Sequence, residues 1–322
     1  MLRYPKGDAD SQCRSLPGTG VVILSAIELR GKVVAAPILE DVANRVLSLK
    51  EAGWTPRLAS IEVGDAPDVS LYVRNQRRVC EQVGIEFDHR RYADTMTQQE
   101  LLALINALNV DPRITGIILQ RPLPDHISVK EMQVTIHPSK DVEGMNPFNI
   151  GKVVYGDAVL GPCTSLASVE VLKATGLNLR GLEVVVVGQS EIVGKPLALF
   201  LLPHRVTVTI CHSGTRDLHF HTRRAEALFV AVGKPGLITG DMIQPGAAVI
   251  DIGINQVEAT GEDGSVRTRT VGDVEYESAR EVAGWITPVP GGVGPVTLTI
   301  LMRNTVTALE NAKAQYEKLM KY

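Results

Sequence analysis

The run Gly188-Gln189-Ser190-Glu191-Ile192-Val193-Gly194-Lys195-Pro196 directly follows Glu183–Val187, the most strand-like stretch of the chain. A glycine-rich turn between a strand and a helix lets backbone N–H groups and the helix N-terminus meet the pyrophosphate of a dinucleotide. Ser190 stands where the G-x-G-x-x-G fingerprint has its second glycine, so the same glycines also read as a device for close strand–helix packing. The next strand ends in Cys211-His212-Ser213-Gly214-Thr215-Arg216. A dinucleotide fold specific for NAD usually offers Asp or Glu there to hold the ribose 2′-OH. Here no carboxylate would repel a 2′-phosphate, and Ser213, Thr215 and Arg216 could receive one. NADP is therefore favoured, with NAD as the alternative. His212 reads equally well as a strand-end histidine satisfied by local backbone. Pro288-Val289-Pro290-Gly291-Gly292 is a rigid, donor-poor loop whose glycines permit close approach to a flat ring, or else a turn with no ligand. On a predicted helix, Tyr72 and Gln76 are four residues apart and share a face. Arg74, Arg77 and Arg78 fit a solvated face of the same helix.

These groups need elements to hold them, and the pattern supplies alternating helices and strands. Ile38, Val42, Val46 and Leu49 recur at helical spacing, with Gly53 as the stop. Arg57–Val63 reads as a strand, residues 64–68 as a turn, Val69–Val83 as a helix and Ile85–Tyr92 as a strand. Thr97 with Glu100 forms a candidate capping box for a helix running to Asn109. Gly116–Leu119 is a short apolar run of the buried-strand kind. Beyond a boundary near residues 155–161, Thr164 or Ser165 could cap a helix to Thr175, with Gly176 past its end. Strands are expected at Val206–Cys211, Ala227–Val232 and Ala248–Ile254, and a long helix from Val296 to about Lys321. The fold class is α/β with mostly parallel sheets.

At roughly 150 residues per domain, 322 residues suggest two domains. A hydrophobic content of 44% against 21% charged residues is ordinary for a soluble globular chain with a sizeable core. Thirty-three basic and thirty-six acidic residues leave a net charge of −3, so no basic field points to nucleic acid or an anionic membrane. No window reaches the ~18 apolar residues of a spanning helix. The four cysteines, Cys13, Cys80, Cys163 and Cys211, are widely spaced and suggest neither a metal ribbon nor a disulfide framework. No metal is expected, and a reducing cytoplasmic setting fits. Cys163 and Cys211 read as small buried residues rather than nucleophiles. Residues 1–25, rich in turn formers and without an apolar segment, read as a flexible extension.

Several strings coincide in order: Tyr72-Val73 before a helix ending Val83-Gly84-Ile85, Gln120-Arg121-Pro122-Leu123-Pro124, and His137-Pro138-Ser139-Lys140-Asp141-Val142-Glu143-Gly144. Then come Gly161-Pro162-Cys163-Thr164, Val187 to Gly194, Ala231-Val232-Gly233-Lys234-Pro235, Val249 to Asn255, and Ile286-Thr287-Pro288-Val289-Pro290-Gly291-Gly292-Val293-Gly294-Pro295. Together they closely resemble the methylenetetrahydrofolate dehydrogenase/methenyltetrahydrofolate cyclohydrolase family from about residue 26 to the C-terminus. The resemblance implies two domains flanking a cleft: a folate-binding catalytic domain, 26–160 joined by the helix 296–322, and a Rossmann-like NAD(P)-binding domain, 161–295. It implies a homodimer. It also implies oxidation of 5,10-methylene-tetrahydrofolate, followed by hydrolysis of the methenyl product to 10-formyl-tetrahydrofolate. Carried over position by position, Tyr72, Gln76, Gln120 and Glu143 would be catalytic, and Tyr72, Gln120, Glu143, Pro290, Gly291 and Gly292 would touch the substrate. Gly188, Gln189, Ser190, Ile192, Val193, Gly194, His212, Ser213, Ala231, Val232, Gly233, Ile254 and Thr297 would touch the cofactor.

The chain departs from the family pattern at chemically meaningful places. Gln76 stands where the family has lysine, Glu143 where it has Asp, Ser165 where proline is common, and Gln189 where arginine is frequent. Hydride transfer is driven by the folate nitrogens' lone pairs and needs positioning rather than an enzyme proton. Hydrolysis needs water to lose a proton and a ring nitrogen to leave, work suited to a desolvated lysine. A carboxamide does not titrate near neutrality. The expectation is a dehydrogenase whose cyclohydrolase is lost or weak, by ~10²–10⁴-fold for one missing proton carrier. Two alternatives stand beside it: a bifunctional enzyme using Tyr72, Gln120 and solvent, and an inactive binder of folate or nucleotide. Glu143 keeps a carboxylate able to accept two hydrogen bonds from a pterin's amidine-like edge, with a longer reach that leaves a related pterin as another ligand. Losing arginine at 189 weakens 2′-phosphate recognition and keeps NAD in play.

Overall fold

The computed structural model describes residues 13–15, 22–260 and 266–321. In chain order the first elements are β1 (Cys13–Ser15), β2 (Val22–Leu24), β3 (Ile27–Glu28), α1 (Gly31–Glu51), β4 (Arg57–Val63) and α2 (Pro67–Val83). They are followed by β5 (Glu86–Tyr92), α3 (Gln98–Val110), β6 (Gly116–Leu119), α4 (Val129–Thr135), α5 (Pro147–Tyr155) and α6 (Cys163–Ala174). The second half contributes β7 (Glu183–Val187), α7 (Gly194–Leu201), β8 (Thr207–Cys211), α8 (Leu218–Thr222), β9 (Ala227–Val230) and β10 (Ala248–Asp251). The chain ends with β11 (Asn255–Thr260), β12 (Val266–Val271), α9 (Tyr276–Arg280), β13 (Trp285–Ile286) and α10 (Val293–Leu319). Backbone contacts divide it into two units, residues 38–163 with 298–322, and residues 1–37 with 164–297.

In the first of these units, β4 lies between β5 and β6 in a three-stranded sheet whose pairings are all parallel. Leu58 to Val63 are all buried, as a strand covered on both faces requires. Ala59, Ile61 and Val63 pack with Leu101, Ile105 and Leu108 of α3, and with Ile117, Leu119 and Met132. The expected capping box starts α3: Thr97 Oγ1 accepts from the Glu100 N–H, and the Glu100 carboxylate accepts from the Thr97 N–H at 2.7 Å. At its other end, Lys140 Nζ donates to the Leu108 and Asp111 carbonyls at 2.8 and 2.6 Å, satisfying groups the helix leaves open. Val69, Val73, Gln76, Cys80 and Val83 form the buried stripe of α2, one carboxamide among apolar side chains. The helix begins at Pro67, two residues before the expected start.

The second unit holds six parallel strands in the order β3-β13-β10-β9-β7-β8. Both β8 and β9 pair with β7, so consecutive connections leave β7 toward opposite sides. The C-terminal end of β7 is thus the switch point where such sheets bind ligands. Val185, Val187, Leu228, Val230, Val249 and Ile286 lead its core. β3 pairs with β13, so residues 27–28, expected with the catalytic half, are hydrogen-bonded into this sheet. The hairpin β11–β12 was not foreseen. α6 begins at Cys163, ahead of the expected caps Thr164 and Ser165, and α10 begins at Val293 rather than Val296. Within the stretch expected to be a flexible extension, Cys13–Ser15 pairs antiparallel with Val22–Leu24; residues 1–12 and 16–21 lie outside the described residues. Among the described residues, no helix is long and apolar enough to cross a membrane, and no cluster of His, Cys, Asp or Glu is placed to hold a metal ion.

Candidate active site

In the unit of residues 38–163 and 298–322, the middle of β4, the C-terminal end of β6 and the buried stripe of α2 bring Ser60, Gln76 and Gln120 together. Gln120 follows β6, and its backbone N–H donates to the Ile61 carbonyl at 2.8 Å, which fixes its side chain against β4. Its Nε2 donates to Ser60 Oγ and to Gln76 Oε1, both at 2.9 Å. Gln76 is fully buried, and its own Nε2 makes no hydrogen bond. One helical turn before it, Tyr72 keeps 39% of its surface exposed while its hydroxyl lies near Glu143, Cys163, Gln76 and Arg121. Burial pushes that hydroxyl well above the usual tyrosine range, with the charge of Glu143 adding to it.

Glu143 comes from the loop after α4, which Asp141 organises. The buried Asp141 carboxylate accepts from the Asn146 N–H at 2.7 Å and from Asn149 Nδ2 at 2.9 Å. Gly144 turns the loop with φ +71°, and a Cβ there would lie 2.1 Å from the Gly161 carbonyl carbon, so only glycine fits. Burial raises the Glu143 carboxyl to about 7, with Asp141 adding to the rise. The Arg121 guanidinium, 3.8 Å away, and the Leu119 backbone N–H oppose it. Cys163 is buried; its Sγ donates to the Val142 carbonyl at 3.3 Å, and burial beside Glu143 holds its thiol far above the ordinary range. It is thus a neutral packing residue, as its type suggested, and not a thiolate nucleophile.

The other unit carries the remaining sequence candidates. Gly188 leaves β7 with φ +124°; a Cβ would lie 2.2 Å from the Ala231 carbonyl oxygen. Gly194, first in α7, packs against the Gly188 carbonyl at a distance no Cβ could share. Between them, exposed Gln189 and Ser190 open the turn, and Ser190 Oγ accepts from the Val193 N–H at 3.1 Å. Ser165 donates to the Val193 carbonyl at 3.0 Å, a bond proline could not make. The turn after β8 is closed by Thr215 Oγ1 accepting from the His212 N–H at 2.9 Å, and His212 Nδ1 accepts from Gly214. His212, Ser213 and Arg216 stay exposed there. Past β9, Asp273 accepts from the N–H groups of Val232, Gly233 and Lys234 and from Asn255 Nδ2. An internal carboxylate thus fills the backbone cradle at Val232–Lys234 and fixes its shape. Ile254 is 69% exposed, and Thr297 donates to the Val293 carbonyl at 3.3 Å. The Pro288–Gly292 loop carries the cis peptide Val289–Pro290, and Gly291 accepts from the Gly31 N–H at 2.8 Å.

The structure therefore groups Tyr72, Gln76, Gln120 and Glu143 in one unit, and the nucleotide-turn residues with Pro290, Gly291 and Gly292 in the other. Sequence reading missed Ser60, Arg121 and Asp141. The last two lie inside the strings Gln120–Pro124 and His137–Gly144, where charge next to the candidate residues was the available signal. Ser60 had none, being one small hydroxyl residue in a strand that also carries Arg57 and Glu62. The glycine cradle, the carboxylate-free end of β8 and the donors around it fit a phosphorylated dinucleotide.

Both halves of the chain match one family in comparison with known proteins. Residues 29–143 match the catalytic domain of tetrahydrofolate dehydrogenase/cyclohydrolase, and residues 162–313 match the NAD(P)-binding domain of the same family. The chain is 57% identical over 289 residues to the Bifunctional protein FolD 2 of Mesorhizobium japonicum, covering 90% of this chain and 93% of that one. A crystal structure of the bifunctional FolD dehydrogenase/cyclohydrolase from Campylobacter jejuni superposes with a TM-score of 0.82 at 40% identity, over 89% of this chain and 99% of that one. The Trypanosoma brucei enzyme, complexed with NADP cofactor and an inhibitor, gives 0.83 at 34% identity over 89% and 98%. Matched along both halves, the chain belongs to the tetrahydrofolate dehydrogenase/cyclohydrolase family.

Proposed function

We propose that this protein is a methylenetetrahydrofolate dehydrogenase that uses NADP, with NAD as the alternative. It oxidises 5,10-methylene-tetrahydrofolate to the 5,10-methenyl form and hydrolyses that product weakly. The observation that carries the weak hydrolysis is the buried Ser60–Gln120–Gln76 chain, which presents a neutral carboxamide where the family's proton-carrying lysine belongs.

In this reading residues 38–163 and 298–322 hold the folate. Ionised Glu143 accepts two hydrogen bonds from the pterin's amidine-like edge, and Tyr72 packs its exposed ring along the substrate. The Gln76 carboxamide, oriented by Gln120, puts a neutral group with no proton to transfer on the same helix face as Tyr72. A bound nicotinamide would supply the hydride acceptor this oxidation needs, and the substrate's N5 and N10 lone pairs would stabilise the cation that results. Residues 164–297 would hold the dinucleotide: Gly188–Gly194 would meet the pyrophosphate, Ser213, Thr215 and Arg216 would receive a 2′-phosphate, and His212, Ala231–Gly233, Ile254 and Thr297 would line the rest. Pro290, Gly291 and Gly292 give a close backbone wall with no side chain to obstruct a ring.

A bifunctional enzyme is the second reading. Its support is the name of the 57% identical relative and the Glu143 carboxyl itself. With a pKa raised to about 7, that group could take a proton from attacking water. One assay separates the readings: methylene-tetrahydrofolate with NADP or NAD, following reduced nicotinamide and methenyl absorbance together. Accumulating methenyl with reduced cofactor supports the weak-hydrolysis reading, and transient methenyl supports the bifunctional one. Silence with both cofactors leaves a binding protein. A cytoplasmic homodimer completes the proposal, on family resemblance and composition, and sedimentation at micromolar concentration tests the dimer.

A further inference from the structure

Arg121 has no part in the reading above, yet its guanidinium bears on both Glu143 and Tyr72. Its Nη2 stands 3.8 Å from Glu143 Oε1, an ion-pair distance beyond hydrogen-bond length, so the charge is countered without using the carboxylate's acceptor positions. The two side chains are 31% and 21% exposed. The backbone beneath each is anchored independently. Arg121 follows Gln120, whose backbone is bonded to Ile61 and whose carboxamide is bonded to Ser60 and Gln76. Glu143 rides on the loop that Asp141 ties to Asn146 and Asn149 and that Gly144 seats against Gly161.

The groups facing this carboxylate otherwise favour its neutral form or leave it unaided. Asp141 on its own loop repels it. The Tyr72 hydroxyl from α2 and the Cys163 thiol at the start of α6 face it as neutral groups, both kept protonated by burial and by its charge. Arg303 of α10 acts on Cys163. Besides Arg121, the Leu119 N–H on β6 is what draws protons away from Glu143.

We propose that Arg121 is a positioning residue of the folate site: its guanidinium, 3.8 Å from Glu143, favours the ionised carboxylate and leaves the acceptor positions free for the pterin edge. The proposal rests on the reading that Glu143 receives that edge. Substrate capture then follows the ionised fraction of Glu143, which Arg121 sets.

The experiment combines two readouts. The first is the Glu143 carboxyl titration by ¹³C NMR in ligand-free protein. The second is kcat/KM for methylene-tetrahydrofolate oxidation from pH 5.5 to 9.5, separated into kcat and KM. The proteins are the unaltered enzyme, Arg121→Leu, Arg121→Gln, Arg121→Lys and Glu143→Gln. Removing an opposite charge at this range raises a carboxyl pKa by about one unit or more. In the Leu and Gln variants the titration and the acid limb should both move up by that amount. At one unit this is about a five-fold loss of kcat/KM at pH 7, carried by KM and recovered by pH 9. Arg121→Lys should keep the limb near its original place. A limb unmoved in both neutral variants, or a loss equal at every pH, overturns the proposal if Glu143→Gln abolishes the limb. If Glu143→Gln leaves limb and KM unchanged, the reading of Glu143 as the pterin acceptor falls and takes the proposal with it. The NMR shift would then report the ion pair alone.

Discussion

Gln120 Nε2 donates to Gln76 Oε1 at 2.9 Å, and this one bond decides which end of the buried Gln76 carboxamide remains available. The oxygen is taken, and the Nε2 group, fully enclosed, is left as a donor without a partner. A buried unsatisfied donor costs about 1–3 kcal/mol.

Gln76→Lys should therefore restore a titratable group at the same place. Desolvation lowers a buried lysine's pKa toward the range useful for proton transfer. The expected gain in methenyl-tetrahydrofolate hydrolysis is on the order of 10²-fold or more, measured as loss of methenyl absorbance above the buffer rate. A folded, dehydrogenase-active variant with unchanged hydrolysis would remove Gln76 as the cause.

Ser165→Ala deletes the bond to the Val193 carbonyl, which opens the turn into α7. The loss of one such bond is about 0.5–1.5 kcal/mol. NADP should bind a few-fold more weakly in a fluorescence titration. Equal or tighter binding would show that the turn holds its shape without Ser165.

Asp273→Ala strips the acceptor from three backbone N–H groups and from Asn255 at once. Several orphaned donors together should cost about 3 kcal/mol or more, seen as a calorimetric Tm lower by several degrees. A Tm within a degree of the unaltered protein would mean water or a shifted loop replaces the carboxylate.

Asp251 is buried, and desolvation raises its carboxyl from 3.8 to about 6 despite bonds from the N–H groups of Val274, Asp273 and Gly253. Because the folded pKa exceeds the unfolded one, the native state holds the extra proton between about pH 4 and 6. Stability from this group is then greatest at the acid end and falls as pH rises through that window, by up to about 3 kcal/mol. Urea unfolding at pH 4.5 and 6.5 should give a smaller difference in Asp251→Asn than in the unaltered protein. The same difference in both would place the pH dependence elsewhere.

What could be read in the sequence follows from how local its cause is. The strand limits at Gly116–Leu119 and Glu183–Val187 were legible because apolar runs are a property of neighbouring residues, and Arg57–Val63 was legible from its apolar residues closed by the Gly64–Asp68 turn. The capping box at Thr97 was legible for the same reason. The start of α6 was not, because Ser165, a good cap by type, spends its hydroxyl on Val193 twenty-eight residues away. Tyr72 and Gln76 could be placed on one helix face from spacing alone. The Gln120–Gln76 bond and the Arg121–Glu143 pair could not, since each joins segments that only the folded sheet brings together.

The seating of Gly144 against Gly161 bears on how this protein can change over generations. Charges at 121 and 143 sit on side-chain tips and can drift with little disturbance to the backbone beneath. Any side chain at 144 would collide with the Gly161 backbone and unseat the whole acidic loop. Lineages exploring new pterin-like ligands, and libraries built to do the same, should therefore find their variation at the tips and almost none at that hinge of bare backbone.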